Sequence, residues 1–206
     1  MDKMDALRER CLSCRGCQLA ATRTKVVFGV GPAPSDIVFV GEGPGQQEDL
    51  SGEPFVGAAG KLLDDMLSII DLGRNNCYIC NIVKCRPPQN RDPIPEEQDA
   101  CIGYLTEQLE ILRPKIVVCL GRIAAMRLIK PDFRITREHG QWTQKDGIWY
   151  SAIYHPSALL RDVSKRPETF SDLLSLRSKA RELCCTYAAM KSPSARADDD
   201  ASLMKE

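Results

Sequence analysis

The run Ile37-Val38-Phe39-Val40, followed at once by Gly41-Glu42-Gly43-Pro44-Gly45, constrains this chain more than any other feature. A short, largely β-branched apolar run cannot make a buried helix and suits a strand covered on both faces, as in a parallel sheet. Beyond the glycine-rich turn come Glu48, Asp49 and Phe55, then Gly57-Ala58-Ala59-Gly60. A helical pattern of Leu62, Leu63, Met66, Leu67 and Ile70 follows. In open α/β sheets, ligands bind where strands end and helices begin. Here that place carries carboxylates, an aromatic ring and backbone able to approach a ligand closely. Two phosphate-binding motifs are excluded, because a Walker loop ending at Gly60-Lys61 needs glycine where Phe55 stands, and a dinucleotide fingerprint from Gly41 needs it at Gln46.

The same alternation continues down the chain. Strands are expected at 37–41, 77–83, 116–120 and 148–154, and helices at 58–71, 95–112, 121–130 and 167–189. Pro95-Glu96-Glu97 makes a good first helical turn, with proline at the start and acids near the positive end of the dipole. Strand–helix alternation of this kind predicts a layered α/β fold with parallel pairing. One globular domain over 1–190 is expected, with a polar, disordered tail over 191–206.

The chain has ten cysteines, no signal-peptide pattern and no apolar run of membrane length. A cytoplasmic protein with reduced thiols is the expectation, rather than a disulfide framework. Cys14-Arg15-Gly16-Cys17 has the gap that lets two thiolates share one metal centre. Cys85 and Cys101 flank the proline-rich segment that begins at Arg86-Pro87-Pro88. Four thiolates suit zinc or an iron–sulfur cluster, and spacing does not choose between them. Cys11 competes for a ligand role. Cys119 reads as a core residue, Cys77 and Cys80 as strand residues pointing apart, and Cys184-Cys185 as incidental members of a terminal helix.

Net charge is zero, which argues against an extensive basic surface but not a local one. Lys84, Arg86 and Arg91 cluster near Cys85, and Arg161, Lys165 and Arg166 follow His155-Pro156-Ser157-Ala158-Leu159-Leu160. Of two histidines, His139 reads as ordinary. His155 ends the strand Trp149–Tyr154 at the same sheet edge as Glu42, which suits work in a cleft.

The segments GEGPGQQED with PFVGAAG, NIVKCRPPQNRDPIPEEQDAC and HPSALLR together resemble the family 4, iron–sulfur uracil-DNA glycosylases of bacteria and archaea, over roughly Cys14 to Arg161. The resemblance implies a three-layer αβα sandwich around a four-stranded parallel sheet and a [4Fe–4S] cluster on Cys14, Cys17, Cys85 and Cys101, with Cys11 a bystander. A related branch uses a histidine in an inserted basic loop; here Cys85 runs straight into Arg86-Pro87-Pro88, so that branch is disfavoured.

The same resemblance implies the chemistry. Uracil flips out of DNA into a pocket and its N-glycosidic bond is hydrolysed, the first step of base excision repair. Phe55 stacks on the base, Asn81 reads N3–H and O4, His155 donates to developing charge at O2, and Glu42 handles water. Better-known uracil glycosylases carry aspartate and tyrosine where Gly43 and Gly45 stand here. Gly43 is then a substrate-binding position with bare backbone, and Glu48 is expected to line the pocket near C5. Ser157, Leu159, Arg86, Arg91 and Arg161 are the expected DNA contacts, with Leu159 filling the gap left by the base. The expected partner is uracil-containing DNA, single- or double-stranded, bound by a monomer; a sliding clamp is a candidate protein partner.

Overall fold

A computed structural model describes residues 2–184. The expected tail, Cys185 and the expected end of the domain at 190 lie outside the described residues. The chain opens with helices α1 (Lys3–Leu12) and α2 (Leu19–Thr22). It continues β1 (Ile37–Gly41), α3 (Gln46–Ser51), α4 (Ala58–Ile69), β2 (Tyr78–Asn81) and α5 (Pro95–Leu112). Then come β3 (Ile116–Leu120), α6 (Arg122–Leu128), α7 (Ile135–Glu138), β4 (Thr143–Lys145), β5 (Ile148–Ile153), α8 (Pro156–Arg161) and α9 (Arg166–Leu183). The sheet order is β2-β1-β3-β5-β4. The expected parallel strands pair as β1 with β2 and β3, and β3 with β5.

Period-two alternation within each strand divides the core between the two sheet faces. Val38, Val40, Cys80, Val117 and Cys119 pack with Leu7 of α1, Leu105 of α5 and Ala125 of α6. Ile37, Phe39, Ile79, Ile116 and Val118 pack with Leu63 and Leu67 of α4 and Leu173 and Leu176 of α9. Helices on both faces of a parallel sheet give the expected three-layer sandwich. Cys77 and Cys80 fall in opposite clusters, as a strand reading requires.

The expected four strands are joined by a fifth, β4, which pairs antiparallel with the outer edge of β5. The hairpin turns on Asp146 and Gly147, both at positive φ (49° and 81°), the conformation of a two-residue turn. Asp-Gly before Ile148 was a readable sign of it. Strand β2 is shorter than expected because pairing passes to irregular backbone: Ile82 and Val83 donate to the carbonyls of Gly41 and Glu42 at 2.9 and 3.1 Å. Within HPSALLR, Pro156–Arg161 form the short helix α8, with Pro156 at its first position.

The register leaves one edge of the sheet carrying the chemistry. Gly41 sits opposite Asn81, and β3 and β5 end together at Leu120 and Ile153. Asn81 and Glu42 therefore emerge on neighbouring strands at this edge, with His155 beyond the end of β3.

Candidate active site

A cleft of about 580 Å³ opens over this edge, bordered by Glu42, Phe55, Asp92, Arg122, Tyr154 and His155 among others. Phe55 is buried and holds φ +55°, a left-handed conformation costly for an aromatic residue by about 1–3 kcal/mol. The surroundings over-determine it. Arg74 donates to the Phe55 carbonyl and, at 2.9 Å, to that of Pro54, and is itself held by Asp64 at 2.9 Å. Gly60 lets α4 close in, since a Cβ there would lie 1.8 Å from the Phe55 oxygen. The ring ends 5.6 Å from that of His155, tilted by 31°.

Asn81 lies beneath the cleft and is 1% exposed. Its Oδ1 is the one buried side-chain oxygen or nitrogen among the described residues without a hydrogen-bond partner. Buried acceptors are almost always satisfied, so an orphan at a sheet edge calls for an explanation. Gly41 gives the location. A Cβ there would meet Asn81 Oδ1 at 2.4 Å and Phe55 Cζ at 2.6 Å, so the bare glycine keeps the amide and the ring edge clear.

His155 ends β5 and caps α8. Its Nδ1 accepts from the Ser157 N–H at 3.1 Å and lies 2.8 Å from Ser157 Oγ. An accepting Nδ1 leaves the proton on Nε2. Burial, reinforced by the nearby Arg161 charge, pushes the imidazole down to about 4, so it is neutral at ordinary pH. Glu42 moves the other way. Burial pushes it up to about 7, helped by the charge of Asp92 and a hydrogen bond to it, while Arg122 opposes the shift.

Several expected contacts fall elsewhere. The Glu48 carboxylate borders the cleft, but both oxygens are engaged: Oε1 accepts from Val56 and Gly57 N–H at 2.9 Å and Oε2 from Gly45 N–H at 3.1 Å. It braces the two loops against each other. Gly43 faces Val83 and Pro87 (a Cβ would lie 2.8 Å from Val83 Cγ2), away from the cleft. Leu159 is buried against the α4 and α9 side of the core, whereas Leu160 is 45% exposed. A six-residue helix turns the first leucine inward and leaves the second at the surface, so Leu159 is a core residue and not the exposed side chain that a wedge requires.

The basic residues also sort differently. Lys84 is fully buried and donates to the Asn81 carbonyl at 2.9 Å and to Gln108 Oε1 at 2.6 Å, so it is no phosphate contact. Arg91 is held bidentate by Glu97 at 2.8 and 2.6 Å. Arg86 donates to Asn90 Oδ1 at 2.7 Å. Ser157 and Arg161 remain on the cleft wall. Asp92 and Arg122 escaped the sequence reading. They form an ion pair across the cleft mouth, joining the 86–94 loop to the start of α6. His139 is engaged by Asp172 at 2.8 Å, outside the cleft.

Behind the 86–94 loop, Cys14, Cys17, Cys85 and Cys101 surround one small cavity, with Cys11 on the same wall. Among the described residues no three metal-ligating side chains are placed to hold a single ion. Donors face several of them. Arg23 reaches Cys85 Sγ at 3.2 Å, the Lys84 N–H reaches Cys101 Sγ at 3.3 Å and the Gly16 N–H reaches Cys14 Sγ at 3.4 Å. Donors of this kind stabilise thiolates and tune a metal centre. Among the described residues no helix is long and apolar enough to cross a membrane.

A parallel sheet whose edge presents an acid, a neutral histidine and a stacking ring in one cleft, with a buried amide beside that ring, is the architecture of an α/β base-excising hydrolase. Residues 28–176 match the uracil DNA glycosylase superfamily, and the chain belongs to that family. It is similar to type-4 uracil-DNA glycosylases from Archaeoglobus fulgidus, 48% identical over 89% of this chain and 94% of the relative, and Thermotoga maritima, 45% identical over 78% and 85%. A third, from Sulfurisphaera tokodaii, is 41% identical over 87% and 86%.

Proposed function

We propose that this cleft receives a uracil flipped out of DNA and hydrolyses its N-glycosidic bond, leaving an abasic site for base excision repair. The observation that carries the reading is the orphan acceptor of Asn81 beside the strained Phe55 ring. Uracil N3–H would satisfy Oδ1, and O4 would take the amide NH₂, while the ring stacks on the base.

Water oxygen bonds to C1′ as the C1′–N1 bond breaks, and its electron pair passes into the uracil ring. Negative charge grows on O2 as it does so. A neutral His155 presents Nε2–H to that oxygen without first losing a proton, a contribution realised mainly in the transition state. Glu42 holds the water and accepts its proton, and its ionised form favours the cationic sugar. Ser157, Arg161 and Arg86 serve the DNA backbone, and the exposed Leu160 takes the wedge role.

Cys14, Cys17, Cys85 and Cys101 would hold a [4Fe–4S] cluster. Four cysteines lining one cavity supply the all-thiolate ligand set that such a cluster takes. When bound, the cluster supplies a structural tie, fixing the 86–94 loop beside the cleft.

The test is single-turnover excision from a uracil-containing oligonucleotide by wild-type, His155→Ala and Asn81→Ala proteins. Wild type is expected to act on uracil and leave cytosine and thymine intact, and both variants to lose most of the rate while still binding DNA. Retention of the wild-type rate by either variant overturns its assignment.

A further inference from the structure

Glu42 does not stand alone. Its carboxyl shares the cleft with Asp92, which arrives from the 86–94 loop and raises the proton affinity of Glu42, and Asp92 is ion-paired with Arg122 at the start of α6. All three border the cleft together with His155, Arg161 and Glu48. Asp92 and Arg122 are the charged side chains that act on Glu42, and they act in opposite directions. Glu48 has both oxygens occupied by backbone amides, and His155 is neutral.

We propose that Asp92 is a positioning residue for hydrolysis: it stands beside the Glu42 carboxyl, keeps that group aimed at the water and ready to take its proton, and is itself fixed by Arg122. This rests on the reading of Glu42 as the water-handling acid. A negative charge beside Glu42 disfavours its ionised form, so Glu42 keeps its proton to a higher pH than an isolated carboxyl does. Arg122 offsets that charge. When water oxygen bonds to C1′, its departing proton goes to the Glu42 carboxylate, and the electron pair of the broken C1′–N1 bond leaves with uracil. Neither a metal ion nor an oxidant enters the balance.

The geometry also explains why these residues come from distant segments. Asp92 is carried on the loop between Cys85 and Cys101, so whatever orders that loop also sets the ionisation of the acid in the cleft. Both Asp92 and Arg122 are 53% exposed. An exposed ion pair contributes little to stability, which leaves positioning as its evident role.

The experiment is the pH dependence of the single-turnover rate at saturating protein for wild type, Asp92→Asn, Arg122→Gln and Glu42→Gln. In wild type the rate is expected to fall on the acid side of a limb near pH 7, where Glu42 titrates. Asp92→Asn removes the like charge and should move that limb down by roughly one pH unit. Arg122→Gln removes the opposing cation and should move it up. Asp92→Glu should restore a limb close to that of wild type.

A limb that stays in place in Asp92→Asn while the rate falls equally at all pH values overturns the proposal, since it marks a mere tether between loop and helix. If Asp92→Asn does not fold, Arg122→Gln decides, and an unmoved limb there overturns the proposal equally. Glu42→Gln separates the two readings. Full activity with an unchanged limb refutes the water role of Glu42 itself; loss of activity beside an unmoved Asp92→Asn limb refutes the Asp92 role alone.

Discussion

Replacing Asn81 with alanine should remove activity while scarcely changing stability. Ordinarily, truncating a fully buried polar residue breaks hydrogen bonds and destabilises. Here the carbonyl oxygen has no partner, so removing it recovers part of the roughly 1–3 kcal/mol that an unsatisfied buried acceptor costs. The opposing loss is a small cavity beneath Gly41, worth about 1–2 kcal/mol for a side chain of this size. The two should nearly cancel, leaving the unfolding midpoint within about 4 °C of wild type. Binding of the base loses both edge contacts, about 3 kcal/mol or more, which is roughly a hundredfold in single-turnover rate. Thermal unfolding followed by circular dichroism, with excision measured on the same preparations, checks both halves. A midpoint lowered by more than about 10 °C would mean that the amide is satisfied within the protein, and wild-type excision would mean that another group reads the base. Asn81→Asp presents only acceptors when ionised. It should also lose uracil activity, and can gain weak activity on unpaired cytosine.

Further consequences follow from the same geometry. Glu42 has a folded pKa raised to about 7, so between the ordinary carboxylate range and pH 7 the native state binds more protons than the unfolded one, and stability falls as pH rises through that window. Glu42→Gln should therefore unfold a few degrees higher than wild type at pH 8 and at nearly the same temperature at pH 4; a pH-independent difference refutes the buried-acid assignment. His155 runs the other way. Its folded pKa of about 4 lies below the unfolded one, so its contribution is complete above about 6.5 and is lost as pH falls toward 4, and His155→Gln should flatten that acid-side loss in unfolding scans. Leu159→Ala should cost about 2–5 kcal/mol of stability, whereas Leu160→Ala should leave stability intact and weaken excision from duplex more than from single strands. Cys85→Ala or Cys101→Ala should lower iron content and DNA affinity together. Cys11→Ala should keep the iron and cost about 1 kcal/mol, since Cys11 is packed in the core.

Much of the site was legible because sheet registry turns sequence position into spatial position. A residue that ends a buried parallel strand must appear at one edge, so Glu42 and His155 could be placed together from the sequence, whereas Asn81 fell within the expected strand 77–83 and its role came from the family resemblance. The four expected cysteines likewise meet around one cavity. What escaped depends on packing that local pattern does not encode. Leu159 and Leu160 are adjacent and chemically identical, and only the pitch of a six-residue helix decides which one faces the core. Lys84 looked solvated beside Arg86, yet Gln108 and a main-chain carbonyl satisfy it inside the protein. Glu48 borders the cleft as read, but three backbone amides hold its carboxylate, a bracing role that the sequence pattern did not show. Asp92 and Arg122 lie thirty positions apart on irregular or terminal backbone, and no periodicity links such a pair.

The central claim is that this cleft excises uracil from DNA, and one assay tests it directly. Purified protein is incubated in excess with an end-labelled oligonucleotide holding one uracil among the normal bases, treated with alkali and resolved by length. A single cleavage product at the uracil position, absent when thymine or cytosine replaces it and strongly reduced with His155→Ala, is the result expected. Intact oligonucleotide after incubation with folded protein that carries its full complement of iron would contradict the account.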